Sequence, residues 1–257
     1  MIRRVRMANR GLRRPGGHGK FRPHTLLSIL GSNCPRPRHC RFVLNYKRLR
    51  YRTQWVELPD VERTLRSIGA PPTTHRADGT PVYNLPVIVN HTHAGAPEVV
   101  VGAERIAEYL DMRYPACLVF PEGARAPQML LVQWMMETWA RPVLAVMGPL
   151  SFAGLGERSR EWVGPLSAVR QRSAGTQEQW ELVRQKFDSL ARELDRGDGD
   201  GTVVMGQEVT YADFALCSVL VWIRNAAPYV VWEMVKTWNG GRWQRLWDRC
   251  SRYMDVV

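Results

Sequence analysis

The order of apolar and polar residues in the first half of the chain predicts short strands alternating with helices. A buried strand is expected from His24 to Leu30, because an apolar run ends there at the turn residues Gly31-Ser32-Asn33. An apolar stripe at helical spacing predicts a helix over 41–46. The next strand is expected from Tyr51 to Val56. The two strands of such a unit should be parallel.

A second unit follows. A helix opens at Asp60 and stops at Gly69, and the Pro- and Gly-rich segment 71–81 reads as a loop. Two strands, Leu85–Val89 and Glu98–Val101, should form a hairpin. Pro86 marks the start of its first strand, because proline fits only the first position or the edge of a strand. A helix then begins near Arg105. We therefore expect βαβ followed by ββα.

Beyond residue 127 the pattern is helical. The segment 117–127 contains two prolines and one glycine, Pro121, Gly123 and Pro127, and is the expected domain boundary. The capping-box pattern Thr210-Tyr211-Ala212-Asp213 should open a core helix. Helices are predicted over Met129 to Met147, where Pro142 should kink or divide the helix, Gln177 to Leu194, Phe214 to Arg224, and around Trp232–Trp238 and Trp243–Tyr253.

Composition adds two constraints. With 257 residues and 45% apolar content, and without an apolar run of the roughly 20 residues that span a bilayer, we expect a soluble protein with no membrane span. The net charge of +12 lies in the first 56 residues, which hold 15 Lys and Arg and no acid, while the rest holds 21 bases and 24 acids. The fold itself is therefore not basic, and we expect no nucleic-acid partner.

Residues 1–22 are Arg-rich, acid-free and broken by glycines. Three interpretations stand: a disordered basic extension, which we favour; an organelle transit segment, against which the absence of serine argues; and a wrongly assigned start. The location is accordingly expected to be cytoplasmic, or mitochondrial if the segment is a transit peptide.

Five scattered cysteines favour a reducing compartment over a disulfide scaffold. Cys34 and Cys40 match neither a C-x-x-C motif nor a zinc pattern, so no metal is expected.

Several motifs, in order from about His24 onwards, carry a family resemblance. They are Leu44-Asn45-Tyr46-Lys47, Trp55 to Glu62, Tyr83-Asn84-Leu85-Pro86-Val87-Ile88-Val89, Ile106-Ala107-Glu108-Tyr109-Leu110-Asp111, Tyr211-Ala212-Asp213-Phe214 and Trp238 to Trp243. Together they resemble the glutathione S-transferase family, in its fungal branch related to bacterial β-etherases and to transferase-like proteins of fungal secondary-metabolite clusters. The resemblance implies an α/β thioredoxin-like domain over 23–116, an all-α helical domain over 127–257, glutathione as co-substrate and a homodimer.

The resemblance places the group that holds the glutathione sulfur between the first strand and the first helix. Cys34-Pro35-Arg36 stands there, where related proteins commonly have Ser-Pro-Asn, and Cys-Pro is similar to the omega-like transferases. A thiol at a helix N-terminus among basic residues should have a depressed pKa and be nucleophilic. The alternative is a small cysteine that fills a turn. Ser32 and Asn33 are further candidate donors to the sulfur.

The remaining candidates lie on the hairpin and the helix after it. The resemblance implies a cis peptide at Pro86, which would turn the Val87 backbone towards the cysteinyl part of glutathione. Family members usually carry an acid and a serine for the γ-glutamyl carboxylate, but this chain has Gly102-Ala103. A lost charge-assisted hydrogen bond costs about 1.5–3 kcal/mol, so binding should be weakened or rearranged, with Glu104 compensating only in part.

Three functions follow from these observations. The first is conjugation of glutathione to a small hydrophobic electrophile, in a cleft between the two domains. The second is Cys34-dependent thiol transfer with glutathione. The third is a non-catalytic binding or scaffold module that has lost the glutathione site.

Overall fold

The structure is a computed structural model that describes residues 24–29, 36–91, 96–152, 154–170 and 175–255, with the side chains of 36–38 and 165–170 outside the description. Within these residues, the first part contains six strands, three α-helices and the short 3-10 helix Leu58–Asp60. In chain order the strands and α-helices are β1 His24–Ile29, α1 Arg36–Tyr46, β2 Tyr51–Val56, α2 Val61–Ser67, β3 Thr74–His75, β4 Pro81–Val82, β5 Val87–Asn90, β6 Glu98–Val101 and α3 Ala103–Arg113.

Four of these strands form one mixed sheet in the order β2-β1-β5-β6. β1 runs parallel to β2 and antiparallel to β5, which in turn is antiparallel to β6. Because side chains alternate along a strand, Ile88 joins the core beneath α1 and α3, whereas Val87 and Val89 join a second core beneath α2. The predicted βαβ and ββα units are both present.

The second part is helical. It comprises α4 Arg125–Trp134, α5 Ala140–Phe152, α6 Glu157–Arg170, α7 Gln177–Asp195, α8 Tyr211–Ala226, α9 Val231–Val235 and α10 Trp238–Ser251. The predicted capping box at Thr210 and Asp213 opens α8, whose residues 211–223 are all buried. α8 is therefore the central helix of this part.

The two parts pack through α1 and α8. Phe42 and Phe214 stack with ring centroids 5.4 Å apart. At the crossing between the parts, the Asp111 carboxylate accepts from the backbone N–H groups of Val119 and Phe120 and pairs with Lys47 at 2.7 Å. This network fixes the segment that joins α3 to α4, so the orientation of the helical part follows from residues of both parts.

Three local features differ from or refine the prediction. Segment 71–81, predicted as a loop, contains the short β3–β4 hairpin. The helix around Pro142 is divided, as predicted, but by a π-helical turn over Met135–Trp139. Proline lacks the N–H that would bond to the residue 138 carbonyl, and the wider turn lies where that bond is missing. Finally, Asn239, Gly240 and Gly241 adopt left-handed backbone angles inside α10.

Candidate functional site

A cleft of about 680 Å³ lies between the sheet part and the helical part. One wall consists of the chain before β5 and the N-terminus of α3. The other consists of α4, the π-helical turn and the start of α5. The cleft therefore places the predicted glutathione-binding residues opposite a helical surface.

The structure brings together three of the residues predicted to bind glutathione. Pro86, Ala103 and Glu104 all line the sheet-side wall, and the Leu85–Pro86 peptide is cis, as the resemblance implied. The Gly102 N–H donates to the Pro86 carbonyl at 3.0 Å, which joins the start of α3 to the strand.

The first turn of α3 presents backbone donors to this wall. Gly102, with φ of 95°, precedes the helix without a side-chain cap. The first helical hydrogen bond runs from Ile106 N–H to the Gly102 carbonyl. The N–H groups of residues 103–105 thus have no acceptor within the helix, and with the helix dipole they favour an anion.

Val87 lies inside the sheet, and its predicted backbone contact with glutathione stays a prediction. Its backbone is flanked on both sides, by Leu27 of β1 and Val101 of β6, and its side chain is fully buried in the α2 core. Leu85, which precedes the strand, lines the cleft instead. The sequence motif located the strand correctly, but the register that encloses Val87 depends on both neighbouring strands.

Cys34, Ser32 and Asn33 lie outside the described residues, so their predicted roles remain predictions. α1 begins at Arg36, immediately after Cys34-Pro35. The other cysteine of this region, Cys40, is buried, and burial raises the pKa of its thiol far above the usual range. Cys40 is accordingly an inert core residue, which leaves Cys34 as the thiol candidate.

The helical wall was not predicted from the sequence. Met129, Val132 and Met136 line it with apolar side chains, and Gln133, Glu137 and Arg141 are exposed at its mouth. The Met-rich pattern of 129–147 was available as a signal, since methionine adapts to varied ligands. The pattern predicts a helix there but not which of its faces lines a cleft, because helical spacing alone does not distinguish a core face from a cleft face.

Two ring-bearing residues form the base of the cleft, one from each part. His39 of α1 and Tyr211 of α8 both line it and are almost entirely buried. Their rings meet edge to face at 6.2 Å, and Phe120 packs on the Tyr211 ring at 4.8 Å.

A second, more open depression of about 530 Å³ lies between α7 and α10. Its polar groups largely satisfy one another: Arg242 pairs with Asp195, and Asn239 donates to Asp188 at 2.7 Å. It is remote from the residues discussed above, and the cleft at Pro86 is the candidate site.

Among the described residues, no group of three or more His, Cys, Asp or Glu side chains is placed to hold a metal ion. In the same residues, no helix combines the length and apolar character that crossing a bilayer requires.

Comparison with known proteins agrees with this architecture. A family model described as the glutathione S-transferase C-terminal domain matches residues 126–253. The glutathione S-transferase-like protein ustS of Aspergillus flavus is 26% identical over 240 residues, which cover 84% of this chain and 82% of that protein.

Two solved structures are similar over nearly their whole length. Glutathione transferase GSTFuA3 from Phanerochaete chrysosporium is 29% identical, with a TM-score of 0.81 over 91% of this chain and 98% of that one. Glutathione S-transferase CsGST63524 of Ceriporiopsis subvermispora, solved in complex with glutathione, is 28% identical, with a TM-score of 0.82 over the same shares.

The fold is thus that of a glutathione S-transferase, a thioredoxin-like α/β part followed by an all-helical part. The family model, the curated relative and the solved structures together support the glutathione S-transferase family, and the three relatives named above are fungal proteins.

Proposed function

We propose that the protein conjugates glutathione to an apolar electrophile, in a reaction of fungal secondary metabolism. One observation carries the proposal: a single cleft combines backbone N–H donors at the α3 N-terminus with an apolar helical wall facing them. A bound glutathione molecule in the similar structure from Ceriporiopsis subvermispora supports it.

In this proposal the sheet-side wall holds the tripeptide. The free N–H groups of residues 103–105 receive its γ-glutamyl carboxylate, and the positive end of α3 favours that charge. The backbone of Leu85 pairs with the cysteinyl part, beside the contact predicted for Val87. Glu104, exposed at the first turn of α3, faces the γ-glutamyl ammonium group.

The sulfur then points across the cleft, with the N-terminus of α1 favouring the thiolate. Cys34, Ser32 and Asn33 immediately precede that helix and remain the proposed partners of the sulfur. The thiolate attacks the electrophilic carbon of the acceptor, a carbon–sulfur bond forms, and the displaced electron pair leaves with the leaving group or moves along the acceptor.

The acceptor lies against Met129, Val132 and Met136. Replacing Met136 by Lys tests this placement, because it puts a charge on the apolar wall and leaves the α3 N-terminus intact. We expect the KM for an apolar electrophile to rise roughly tenfold, because the electrophile loses the apolar contact that the methionine side chain provides. The affinity for glutathione should stay unchanged.

The matched control is Met112→Lys. Met112 is 78% exposed on α3 and does not line the cleft, so its replacement should leave both constants unchanged. Equal effects of the two variants on the electrophile, or no conjugation by the wild type, would contradict the proposed function.

A second candidate, a non-catalytic binding or scaffold module, is favoured by Gly102-Ala103, which lack the acid and hydroxyl of the family. It predicts no conjugation with any electrophile despite an intact fold.

The thiol-transfer alternative depends on Cys34, and the variant Cys34→Ser distinguishes it from conjugation. Thiol transfer should be abolished in this variant while conjugation survives.

The family resemblance also implies a homodimer, which we retain as part of the proposal. Light scattering tests it, with a mass of about twice the chain mass of 29.5 kDa expected and a monomer contradicting it.

A further inference from the structure

We propose that Tyr211 is a catalytic residue that donates a hydrogen bond to an oxygen of the acceptor, so that the cleft takes α,β-unsaturated carbonyl compounds as its electrophiles. The inference rests on the proposed function and specifies the chemistry of its acceptor.

The position of Tyr211 carries the argument. It is 1% exposed and still lines the cleft, so the little surface that it keeps belongs to the cleft. His39 and Phe120 hold its ring on either side. The residue is therefore fixed, which a group that stabilises a transition state requires.

The hydroxyl of Tyr211 has no protein partner. Within the described residues, no side chain or backbone group forms a hydrogen bond with it; the backbone N–H of Tyr211 donates to the Val119 carbonyl at 3.0 Å. A buried tyrosine hydroxyl usually finds a partner; this hydroxyl is not among the fully buried side-chain atoms that lack one, so it keeps a surface that a ligand in the cleft can reach. A ligand oxygen in the cleft supplies that partner.

The other polar side chains of the helical wall are less suited to this task. Gln133, Glu137 and Arg141 are exposed at the mouth, where water competes for their hydrogen bonds. Burial, with smaller contributions from Cys40, Glu104 and Glu108, raises the pKa of Tyr211 well above its usual value. The hydroxyl thus keeps its proton at neutral pH and acts as a donor.

The chemistry balances without a further reactant. The glutathione thiol loses its proton to water, and the thiolate bonds to the β-carbon of the acceptor. The carbon–carbon π pair moves to the carbonyl oxygen, where the Tyr211 hydroxyl stabilises the enolate by a hydrogen bond. The α-carbon then takes a proton from water, so the sum is addition of the thiol across the double bond.

Tyr211→Phe tests the proposal with two electrophiles, because only one of them develops charge on an oxygen. With nonenone, an aliphatic enone, we expect kcat/KM to fall on the order of 100-fold, as for loss of one oxyanion donor, whereas with hexyl iodide it should stay within about twofold. The KM for glutathione should not change.

Tyr46→Phe is the matched control. Tyr46 is partly buried against Phe214 and Tyr253 and does not line the cleft, so its replacement should leave both rates unchanged. The Tm of each variant, measured by thermal unfolding, shows whether the protein still folds with phenylalanine at that position.

Equal losses with the two electrophiles, or no loss with nonenone, would overturn the role of Tyr211 and leave the proposed function standing. The same holds if the wild type converts hexyl iodide but not nonenone. If it converts neither, the proposed function fails as well.

Discussion

Position 103 shows how one side chain bears on the activity. Ala103 lines the cleft at the first turn of α3, where the family resemblance implies a serine, and the backbone N–H groups around it have no acceptor within the helix. In the proposed site, the chain therefore keeps the donors that the helix supplies and lacks the donor that a side chain would supply. Binding of glutathione should be weak but present.

Replacing Ala103 by Ser should tighten glutathione binding roughly tenfold, since a hydrogen bond to a charged group contributes about 1.5–3 kcal/mol. Isothermal titration calorimetry measures the change. Ala126→Ser is the control: it makes the same change in the exposed first turn of α4 and should have no effect. An unchanged dissociation constant for Ala103→Ser would place the γ-glutamyl group elsewhere.

Asp213 predicts a pH dependence of stability. Burial raises the pKa of its carboxyl to about 6, although Val204 and Thr210 donate hydrogen bonds to it. In the unfolded chain the value is about 3.9, so the folded protein binds the proton more tightly. The Asp213 contribution to stability should therefore be fully present below about pH 4 and be lost as the pH rises through about 6.

Urea unfolding of the wild type and of Asp213→Asn between these pH values isolates the effect, because the variant lacks the titrating group. The stability difference, wild type minus variant, should grow as the pH falls. A difference that is constant, or that shrinks, would show that the native carboxyl does not titrate in this range.

At the scale of the elements, α6 attaches the helical part to the sheet part by specific polar contacts. Ser159 of α6 is fully buried; it donates to the Glu57 carboxylate and accepts from the Leu58 N–H at 3.0 Å. Beside it, Arg158 pairs with Asp60 at 2.5 Å. These contacts join α6 to the chain between β2 and α2.

Ser159→Ala should lower the free energy of unfolding by about 1–3 kcal/mol, because it leaves the Leu58 N–H without an acceptor. Ser189→Ala, at a partly exposed site on α7 whose hydrogen bond to the Gln185 carbonyl is open to solvent, should change it by less than about 0.5 kcal/mol. Chemical denaturation compares the two. Equal small effects would mean that water replaces the serine oxygen.

The elements also show what sequence patterns can predict. Long amphipathic helices such as α7 and the two units of the sheet followed from periodicity, because a buried face imposes its period on the sequence. The β3–β4 hairpin did not, since two-residue strands have no period. The left-handed turn at Asn239–Gly241 lies in the gap between the helices predicted around Trp232–Trp238 and Trp243–Tyr253, and Gly240 and Gly241 tolerate the positive φ there.

At the scale of the whole molecule, the fold and the existence of an interdomain cleft were predictable, whereas the lining of the cleft was not. The resemblance identified Pro86, Ala103 and Glu104, which line one wall. Met136 and Tyr211 reach the same cleft from segments 30 or more residues further along the chain. Whether these residues meet in one cleft depends on how α4 and α8 pack against the sheet part. No local pattern in a single sequence predicts that packing.

The most direct test of the account is a calorimetric titration of the full chain with glutathione, accompanied by thermal unfolding. We predict one molecule bound per chain, competition by S-hexylglutathione with higher affinity because its alkyl group reaches the Met136 wall, and stabilisation. At a concentration 100 times the dissociation constant the stabilisation is about 2.7 kcal/mol, or roughly 5–10 °C in Tm. No binding heat and no shift in Tm at millimolar glutathione would contradict the central claim that this cleft holds the tripeptide.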